Sequence, residues 1–459
     1  MPGRRFSHLR AKERVESKEM NSDLTSYVDD LASFGTELRL CDVPELIKDR
    51  ARSIILDACG VILGARSLPE VKGLIDWALG EGSVPLCAFA AGTAGVSLEL
   101  DEGCASSRGH PGIHVVPAAL AIAGQMRVTG EALLEAVIAG YEVAARLGAA
   151  TQFRDGVHPH GTWGACGGAV AVGRLIGLNR AQFAEAIRIS SALSVSTNYQ
   201  VVRDGATARN LWAGMGNFVA IIAAQSARCG FSGPQDGPAC VFGETLGVSF
   251  DRRVASDSLG SDWYLGRNYF KLYACCRHAH ASIDAFRAIV DDIGISAGDI
   301  DRIEVYTYGR AAVAVGQPDY PKTPLAAKFS IPYIFSVYLK TGSVGREVFE
   351  APFITDSSLF EVATKVKVTE DPDYTAKLPA TRAARVSVYF TDGQAKTAEA
   401  MGSRGDPHDP LSLEEITDKF LTLAVPEIGQ PTSESVLNTV LSIESLKDVT
   451  ILVNALNGK

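Results

Sequence analysis

The feature that most constrains the fold is a long series of alanine- and glycine-rich segments with helical periodicity, from about residue 24 to about residue 265. Apolar residues recur three or four positions apart, as on the buried face of an α-helix. Small side chains let helices approach closely, so the series predicts a large, tightly packed helical domain. The predicted helices cover 46–62, 118–123, 132–149, 166–176, 181–193 and 215–229, with breaks at Pro69, 109–117, 156–161, Gly205 and 230–238.

The residue composition changes after about Gly266, where runs of branched and aromatic residues predict strands. Thr391, Asp392 and Gly393 are typical of a hairpin turn. The predicted strands are 303–308, 363–368, 384–390 and 396–398, with helices at about 279–293 and 324–341 between them.

A capping-box pattern, Ser412 followed by Glu415, predicts that helices resume near the C-terminus and return to the first domain. The predicted fold class is mainly α with a smaller α+β domain. Its expected parts are a disordered extension at 1–23, a large all-helical domain at 24–266, an α+β lid domain at 267–410 and a helical return at 411–459.

Charge and composition exclude several classes of partner. The formal net charge is -9, from 44 basic and 53 acidic residues, so nucleic acid is not an expected partner. No run of about 18 uninterrupted apolar residues predicts a membrane span, and the first twenty residues lack the apolar region of a secretory signal. The nine cysteines show no metal-binding spacing, which favours a reducing cytoplasm and argues against an iron–sulfur cluster.

Histidine pairing is the main functional signal of the sequence. Histidine titrates near neutral pH, so pairs that recur beside charged residues indicate one proton-transfer site assembled from distant segments. Six of the eight histidines stand in close pairs, His110/His114, His158/His160 and His278/His280.

The first two pairs lie in loops that precede predicted helices. Asp101, Arg108 and His110 offer a base, a cation and free backbone N–H groups for an anionic ligand, although a solvated loop explains the same residues equally well. Pro111 and Gly112 make His110/His114 a poor helical metal pair. His158 stands in a glycine-rich loop, where a structural histidine is the alternative.

The third pair belongs to a basic segment in an otherwise acidic chain. Lys271, Arg277, His278 and His280 fall within ten residues, interleaved with apolar ones. This pattern favours carboxylate binding, with the Arg277 fork as a bidentate donor, over a basic stripe on a surface helix.

Taken in order, the three clusters resemble the MmgE/PrpD family, which includes 2-methylcitrate dehydratase, cis-aconitate decarboxylase and iminodisuccinate epimerase. The likeness covers nearly the whole chain after about residue 24. Its most specific parts are Gly109-His110-Pro111 with the segment 116–120, Gly161-Thr162-Trp163-Gly164 after His158, the segment 271–280, and 328–333.

The resemblance implies a homodimer, no metal or organic cofactor, and a defined set of site residues. Arg209 stands where the family commonly has a lysine, and arginine can clamp a carboxylate but cannot act as a general acid or base. The implied catalytic residues are Asp101, His110, His158, Lys271 and Tyr333, and the expected substrate-binding residues are Arg108, Arg209, Arg277 and His280.

These residues predict a cofactor-independent, dehydratase-type lyase that acts on a small polycarboxylate related to 2-methylcitrate or cis-aconitate. Its shared chemistry would be a carbanion or enediolate beside a carboxylate, stabilised by cations already in place. An epimerase of an amino- or imino-dicarboxylate such as iminodisuccinate is the first alternative, and an inactive carboxylate-binding family member is the second.

Overall fold

The computed structural model describes residues 27–456, with the side chain of residue 293 excepted. The extension predicted at 1–23 lies outside the described residues. After a first helical segment at 27–37, the long helices are α1 (Glu45–Gly64), α2 (Pro69–Glu81), α3 (Val84–Ser97), α4 (Gly112–Met126), α5 (Gly130–Ala150), α6 (Gly164–Leu175), α7 (Arg180–Ala192), α8 (Ala208–Arg228), α9 (His280–Ile293), α10 (Ile331–Thr341), α11 (Leu413–Ile428) and α12 (Gln430–Leu441).

The helical part of the chain is organised around α8. This helix packs against α3, α6 and α7, while α5 lies along α6. The C-terminal helix α11 packs along α1, where an added Cβ on Gly60 would stand 3.2 Å from the Phe420 ring. Small residues at such contacts explain why the N-terminal half is rich in alanine and glycine.

Proline 117 does not break a helix, contrary to the break predicted at 109–117. Helix α4 begins at Gly112 and continues through Pro117. Because Pro117 has no N–H, the carbonyl of Ile113 loses its helical partner, and the Asn217 side chain of α8 donates to it at 2.9 Å. The same amide accepts the N–H of Ala118 at 3.0 Å. A tertiary contact therefore repairs the helix.

The α+β domain contains a four-stranded sheet in the order β6 (Val366–Glu370), β5 (Ile300–Thr307), β7 (Ala384–Phe390) and β8 (Ala395–Ala400). Strands β5 and β6 are parallel, and the other neighbours are antiparallel. Helix α9 packs on β7 and β8. The strands of the described chain are β1 (Gly103–Cys104), β2 (Thr151–Phe153), β3 (Gly247–Phe250), β4 (Asn268–Tyr269), β5 (Ile300–Thr307), β6 (Val366–Glu370), β7 (Ala384–Phe390) and β8 (Ala395–Ala400).

Most predicted elements of this domain are present. The predicted hairpin joins β7 to β8, and Ser412 and Glu415 form the predicted capping box at α11. The single helix predicted at 324–341 is divided into Pro324–Ala327 and α10, because Ser330 adopts an extended conformation and its side chain caps α10. The fold is mainly α with a smaller α+β domain, as predicted. None of the described helices is long and apolar enough to cross a membrane.

The contact between α11 and α1 provides a test of this packing. Phe420 is 1% exposed, so Phe420→Ala should lower the free energy of unfolding by about 3–5 kcal/mol through lost burial and a cavity. Leu413→Ala, at a 52% exposed position of the same helix, should change it by less than about 0.5 kcal/mol. Urea denaturation of both variants measures the difference, and equal effects would contradict the packing described.

Candidate active site

A cavity of about 380 Å³ lies between the helical part of the chain and the α+β domain. Residues far apart in sequence line it, so the site exists only in the folded chain. The lining includes His110, His158 and Arg209 from the helical part, and Cys276, Arg310 and Arg382 from the other.

Strand register brings the first and third sequence clusters together. Strands β1 and β4 are antiparallel, with Gly103 opposite Tyr269 and Cys104 opposite Asn268. Two residues beyond this pair, the same register sets Asp101 against Lys271, whose Nζ lies 3.3 Å from the Asp101 Oδ1 atom. Asp101 of the first sequence cluster and Lys271 of the third are therefore in direct contact in the folded chain.

The inner side of the cavity meets a buried network of four charged residues, Glu99, Asp101, Arg209 and Lys271. Glu99 and Arg209 are part of the lining, whereas Asp101 and Lys271 are not. Glu99 pairs with Arg209 and lies 3.3 Å from Lys271 Nζ, so two carboxylates face two cations. Burial alone would raise the pKa of Asp101, but His110, Lys271 and Arg209 outweigh it and hold that pKa well below its usual range. Asp101 is therefore ionised, and each carboxylate of the network faces a cation.

His110 is oriented as a base toward the cavity. Its Nδ1 donates to the backbone carbonyl of Glu102 at 2.7 Å and lies 3.0 Å from Asp101 Oδ2. Since Nδ1 carries the proton, Nε2 of the neutral ring has a free lone pair, and it makes no hydrogen bond with the described residues. The neighbouring Asp101 carboxylate would stabilise the imidazolium formed when Nε2 accepts a proton.

His158 has the opposite tautomer. Its Nδ1 accepts the backbone N–H of His160 at 3.2 Å, so the proton of the neutral ring is on Nε2. Burial, followed by the charge of Arg209, keeps the pKa of His158 well below its usual range, and the ring is neutral. The cavity is therefore lined by one imidazole whose Nε2 can accept a proton and another whose Nε2 can donate a hydrogen bond.

The remaining two histidines of these pairs have different surroundings. His114 donates from Nδ1 to the His110 carbonyl at 2.9 Å and accepts the Gly161 N–H at Nε2 at 3.1 Å, which fixes both loops. His160 is fully buried between the rings of His110, His114 and His158, with centroids 4.8 to 5.2 Å away, and neither of its nitrogens bonds within the described chain. Burial keeps its pKa well below the usual range.

Asp101, His110 and His160 are the one group of described residues whose ligand atoms, within 4.8 Å of one another, could hold a metal ion. The ammonium of Lys271 already lies against Asp101, and Arg209 is close enough to lower the pKa of the same carboxyl. A divalent cation there would meet both positive charges, so the donor set fits a metal poorly.

Glu102 anchors the loop that carries Asp101. Its carboxyl accepts the Gly112 N–H at 2.6 Å and the Tyr141 hydroxyl at 3.1 Å, and burial raises its pKa to about 8. Its N–H donates to Asp57, which is in turn paired with Lys419 of α11 at 2.6 Å. The C-terminal helix therefore helps to hold the loop beneath the cavity.

Some residues of the basic segment at 271–280 line the cavity, and others lie behind the lining. Arg277 lines the cavity but is paired with Asp406 at 2.6 Å. His280 lies behind it, where Nδ1 accepts from Arg277 at 2.9 Å, and is not part of the lining. His278 lines the cavity and lies 2.5 Å from the Tyr308 hydroxyl. Direct substrate contact predicted for His280 is therefore not supported, since the residue positions Arg277.

Tyr333 does not reach the cavity, although the family resemblance implied a catalytic role. Its N–H donates to Ser330 at the start of α10, and its hydroxyl donates to the Val348 carbonyl at 2.6 Å. The ring packs with Tyr320 and Phe349 inside the α+β domain. The start of α10 thus directs this side chain into the core.

Several lining residues were not singled out by sequence reasoning. Glu99 stands two positions before Asp101, and its left-handed backbone, with φ of 58°, gives no signal in the sequence. Arg310 and Arg382 are single charges in segments without a recognisable motif. The fold alone brings them to the cavity.

The fold and site define a protein with a mainly helical part and an α+β domain around a cationic cavity that contains two histidines of complementary tautomer. The chain belongs to the MmgE/PrpD family. Residues 29–243 match the MmgE/PrpD N-terminal domain, and residues 273–444 match the MmgE/PrpD C-terminal domain.

Three named relatives are similar to the chain over most of their length. A cis-aconitate decarboxylase of Aspergillus terreus is 24% identical over 93% of this chain and 95% of its own. The cis-aconitate decarboxylase of Mus musculus is 24% identical over 95% of this chain and 94% of its own length. That of Homo sapiens is 25% identical over 81% of this chain and 79% of its own length.

Glu102→Gln should remove a pH-dependent penalty on stability. The pKa of Glu102 rises from 4.5 to about 8 on folding, so the folded state keeps a proton that the unfolded state releases, and wild-type stability falls between these values as pH increases. Across this window, the free energy of unfolding of the wild type should fall more steeply with pH than that of the variant, by up to about 1.4 kcal/mol per pH unit. Urea denaturation between about pH 5 and pH 8 measures the slope, with the exposed Glu81→Gln as control. Parallel slopes for wild type and Glu102→Gln would contradict the assignment.

Proposed function

We propose that this protein is a cofactor-independent lyase that acts on a small polycarboxylate through a carboxylate-stabilised carbanion. The observation that carries the proposal is the pairing of His110 and His158 in the same cavity, where the Nε2 atom of His110 can accept a proton and that of His158 can donate a hydrogen bond. Family membership and the resemblance to cis-aconitate decarboxylases support the same class of reaction.

In a dehydration, His110 Nε2 removes the proton from the carbon next to a substrate carboxylate. Negative charge then spreads onto that carboxylate, and the guanidinium of Arg209 is already in place on the cavity lining to interact with it. Asp101 stabilises the imidazolium of His110. The electron pair forms the double bond as the hydroxyl leaves from the neighbouring carbon. His158 Nε2 donates a hydrogen bond to that hydroxyl, and the proton held by the His110 imidazolium converts it to water.

A decarboxylation would use the same residues differently. The carbon–carbon bond breaks, carbon dioxide leaves, and the electron pair moves to a carbon that takes a proton from the protonated form of His110. This reaction needs one proton donor and no base. The names of the relatives favour decarboxylation, whereas the presence of a positioned base favours dehydration.

A set of polycarboxylates tests the proposal and its alternatives. The pure protein is incubated separately with cis-aconitate, citrate, 2-methylcitrate and iminodisuccinate in deuterated buffer. Alkene absorbance, carbon dioxide release and deuterium in recovered substrate are then followed. Alkene formation or carbon dioxide release supports the lyase, and deuterium uptake without net conversion supports the epimerase. Binding without any turnover would indicate a carboxylate-binding member.

The histidine roles predict large kinetic effects with little effect on folding. His110→Asn and His158→Asn should each lower kcat by at least roughly a hundredfold and leave the melting temperature nearly unchanged. His408→Asn, on an exposed loop, is the matched control and should change neither. Normal turnover by His158→Asn, or a loss that follows only from unfolding, would contradict the assignment.

Chelation tests whether the reaction needs a metal. Dialysis against EDTA should leave full activity, because the proton transfers are assigned to side chains and the candidate metal group already faces two cations. Metal content measured by mass spectrometry and activity measured before and after dialysis decide the question. Restoration of lost activity by one divalent ion would overturn the proposal. The homodimer and the cytoplasmic location stay predictions from the sequence.

A further inference from the structure

Charge is unevenly distributed in the cavity. In the buried network at its inner side, the two cations Arg209 and Lys271 are matched by Glu99 and Asp101. The outer part is lined by Arg108, Arg310 and Arg382, none of which forms an ion pair with a residue that the structure describes. Because unpaired arginines that face one space repel each other, this arrangement is most stable with an anion between them.

Arg108 is held in place by its backbone and by one hydrogen bond. Its φ of 56° is left-handed, a conformation that costs free energy in a non-glycine residue and is often found at functional sites. Its Nη1 donates to the Thr151 carbonyl at 3.1 Å, which leaves the other nitrogen donors available. Burial, followed by the charges of Arg310 and Arg382, lowers the pKa of Arg108, so the three groups interact electrostatically.

Arg310 and Arg382 reach the same space from the α+β domain, and each lies beside a tyrosine ring. Arg310 stands 5.8 Å from the centre of the Tyr199 ring, and Arg382 stands 5.7 Å from that of Tyr269. These aromatic contacts orient the guanidinium groups without neutralising them.

Two carboxylates are close to this outer part. Asp406 is occupied by Arg277 at 2.6 Å. Asp155 is exposed on the lining and forms no ion pair among the described residues. The three arginines therefore exceed the acidic groups that face them, and a ligand with an additional carboxylate would restore the balance.

We propose that Arg108, Arg310 and Arg382 form a subsite for the substrate carboxylate that is remote from the reacting carbon. We call it the outer arginine subsite. This assignment rests on the proposed function for the identity of the substrate and extends it to specificity, since the subsite would select tricarboxylates. The guanidinium fork suits bidentate binding of a carboxylate. Arg310 and Arg382 are then specificity residues, and they take no part in proton transfer.

Binding of an unreactive tricarboxylate tests the subsite without turnover. Tricarballylate, the saturated propane-1,2,3-tricarboxylate, has no hydroxyl to eliminate, and calorimetry gives its Kd. Arg310→Gln and Arg382→Gln should each raise that Kd by about tenfold, and Arg382→Lys should fall between them and wild type. Arg228→Gln, an exposed arginine of α8 away from the cavity, removes the same charge and should bind as wild type.

Inorganic phosphate provides the second arm of the experiment, because phosphate also binds arginine clusters. If phosphate displaces tricarballylate at concentrations below the Kd of tricarballylate, the three arginines form a phosphate site and the proposal is overturned. Unchanged tricarballylate binding by folded Arg310→Gln and Arg382→Gln would also overturn it.

Kinetics separate this proposal from the proposed function. With a substrate that turns over, Arg310→Gln should raise KM by about tenfold and change kcat by less than about twofold, whereas His110→Asn lowers kcat. If the arginine variants weaken tricarballylate binding but no polycarboxylate is converted, the subsite stands and the lyase assignment fails. If turnover occurs and KM is unaffected by either variant, the subsite fails and the lyase assignment stands.

Discussion

The geometry of the site depends on a buried network of four charged residues, Glu99, Asp101, Arg209 and Lys271. Buried charges are costly unless each has a partner, and here two carboxylates face two cations. The four residues come from three distant segments of the chain. Removal of one member would leave an uncompensated charge in the interior. The network therefore fixes the relative positions of these segments, and through Asp101 it fixes the orientation of His110.

Much of the fold could be predicted from the sequence, because helical periodicity, strand composition and capping residues are local signals. The capping box at Ser412 and the hairpin between β7 and β8 are both present. Pro117 shows where local reasoning fails. The side-chain amide of Asn217, a hundred positions later, replaces the missing helical hydrogen bond. Because this contact joins two separate helices, a local sequence pattern cannot predict it.

The candidate site was only partly predictable, for a related reason. Residues concentrated in clusters, such as Asp101 and Lys271, could be recognised, and the structure brings them into contact. Arg310 and Arg382 could not be recognised, because an isolated arginine in a sequence does not indicate a binding site until the fold brings it to the cavity. The different roles of His110 and His158 arise because Nδ1 of His110 donates to a backbone carbonyl and Nδ1 of His158 accepts a backbone N–H, which composition and spacing do not reveal.

The register between β1 and β4 bears on how sequences of this kind can diverge. Asp101 meets Lys271 because each lies two residues beyond a paired strand position. Loss or gain of one residue between Asp101 and Gly103, or between Tyr269 and Lys271, would turn one side chain away from the other. Insertions in the long intervening chain leave that pairing intact. Length variation among descendants of this sequence should therefore accumulate between these short segments and be nearly absent within them.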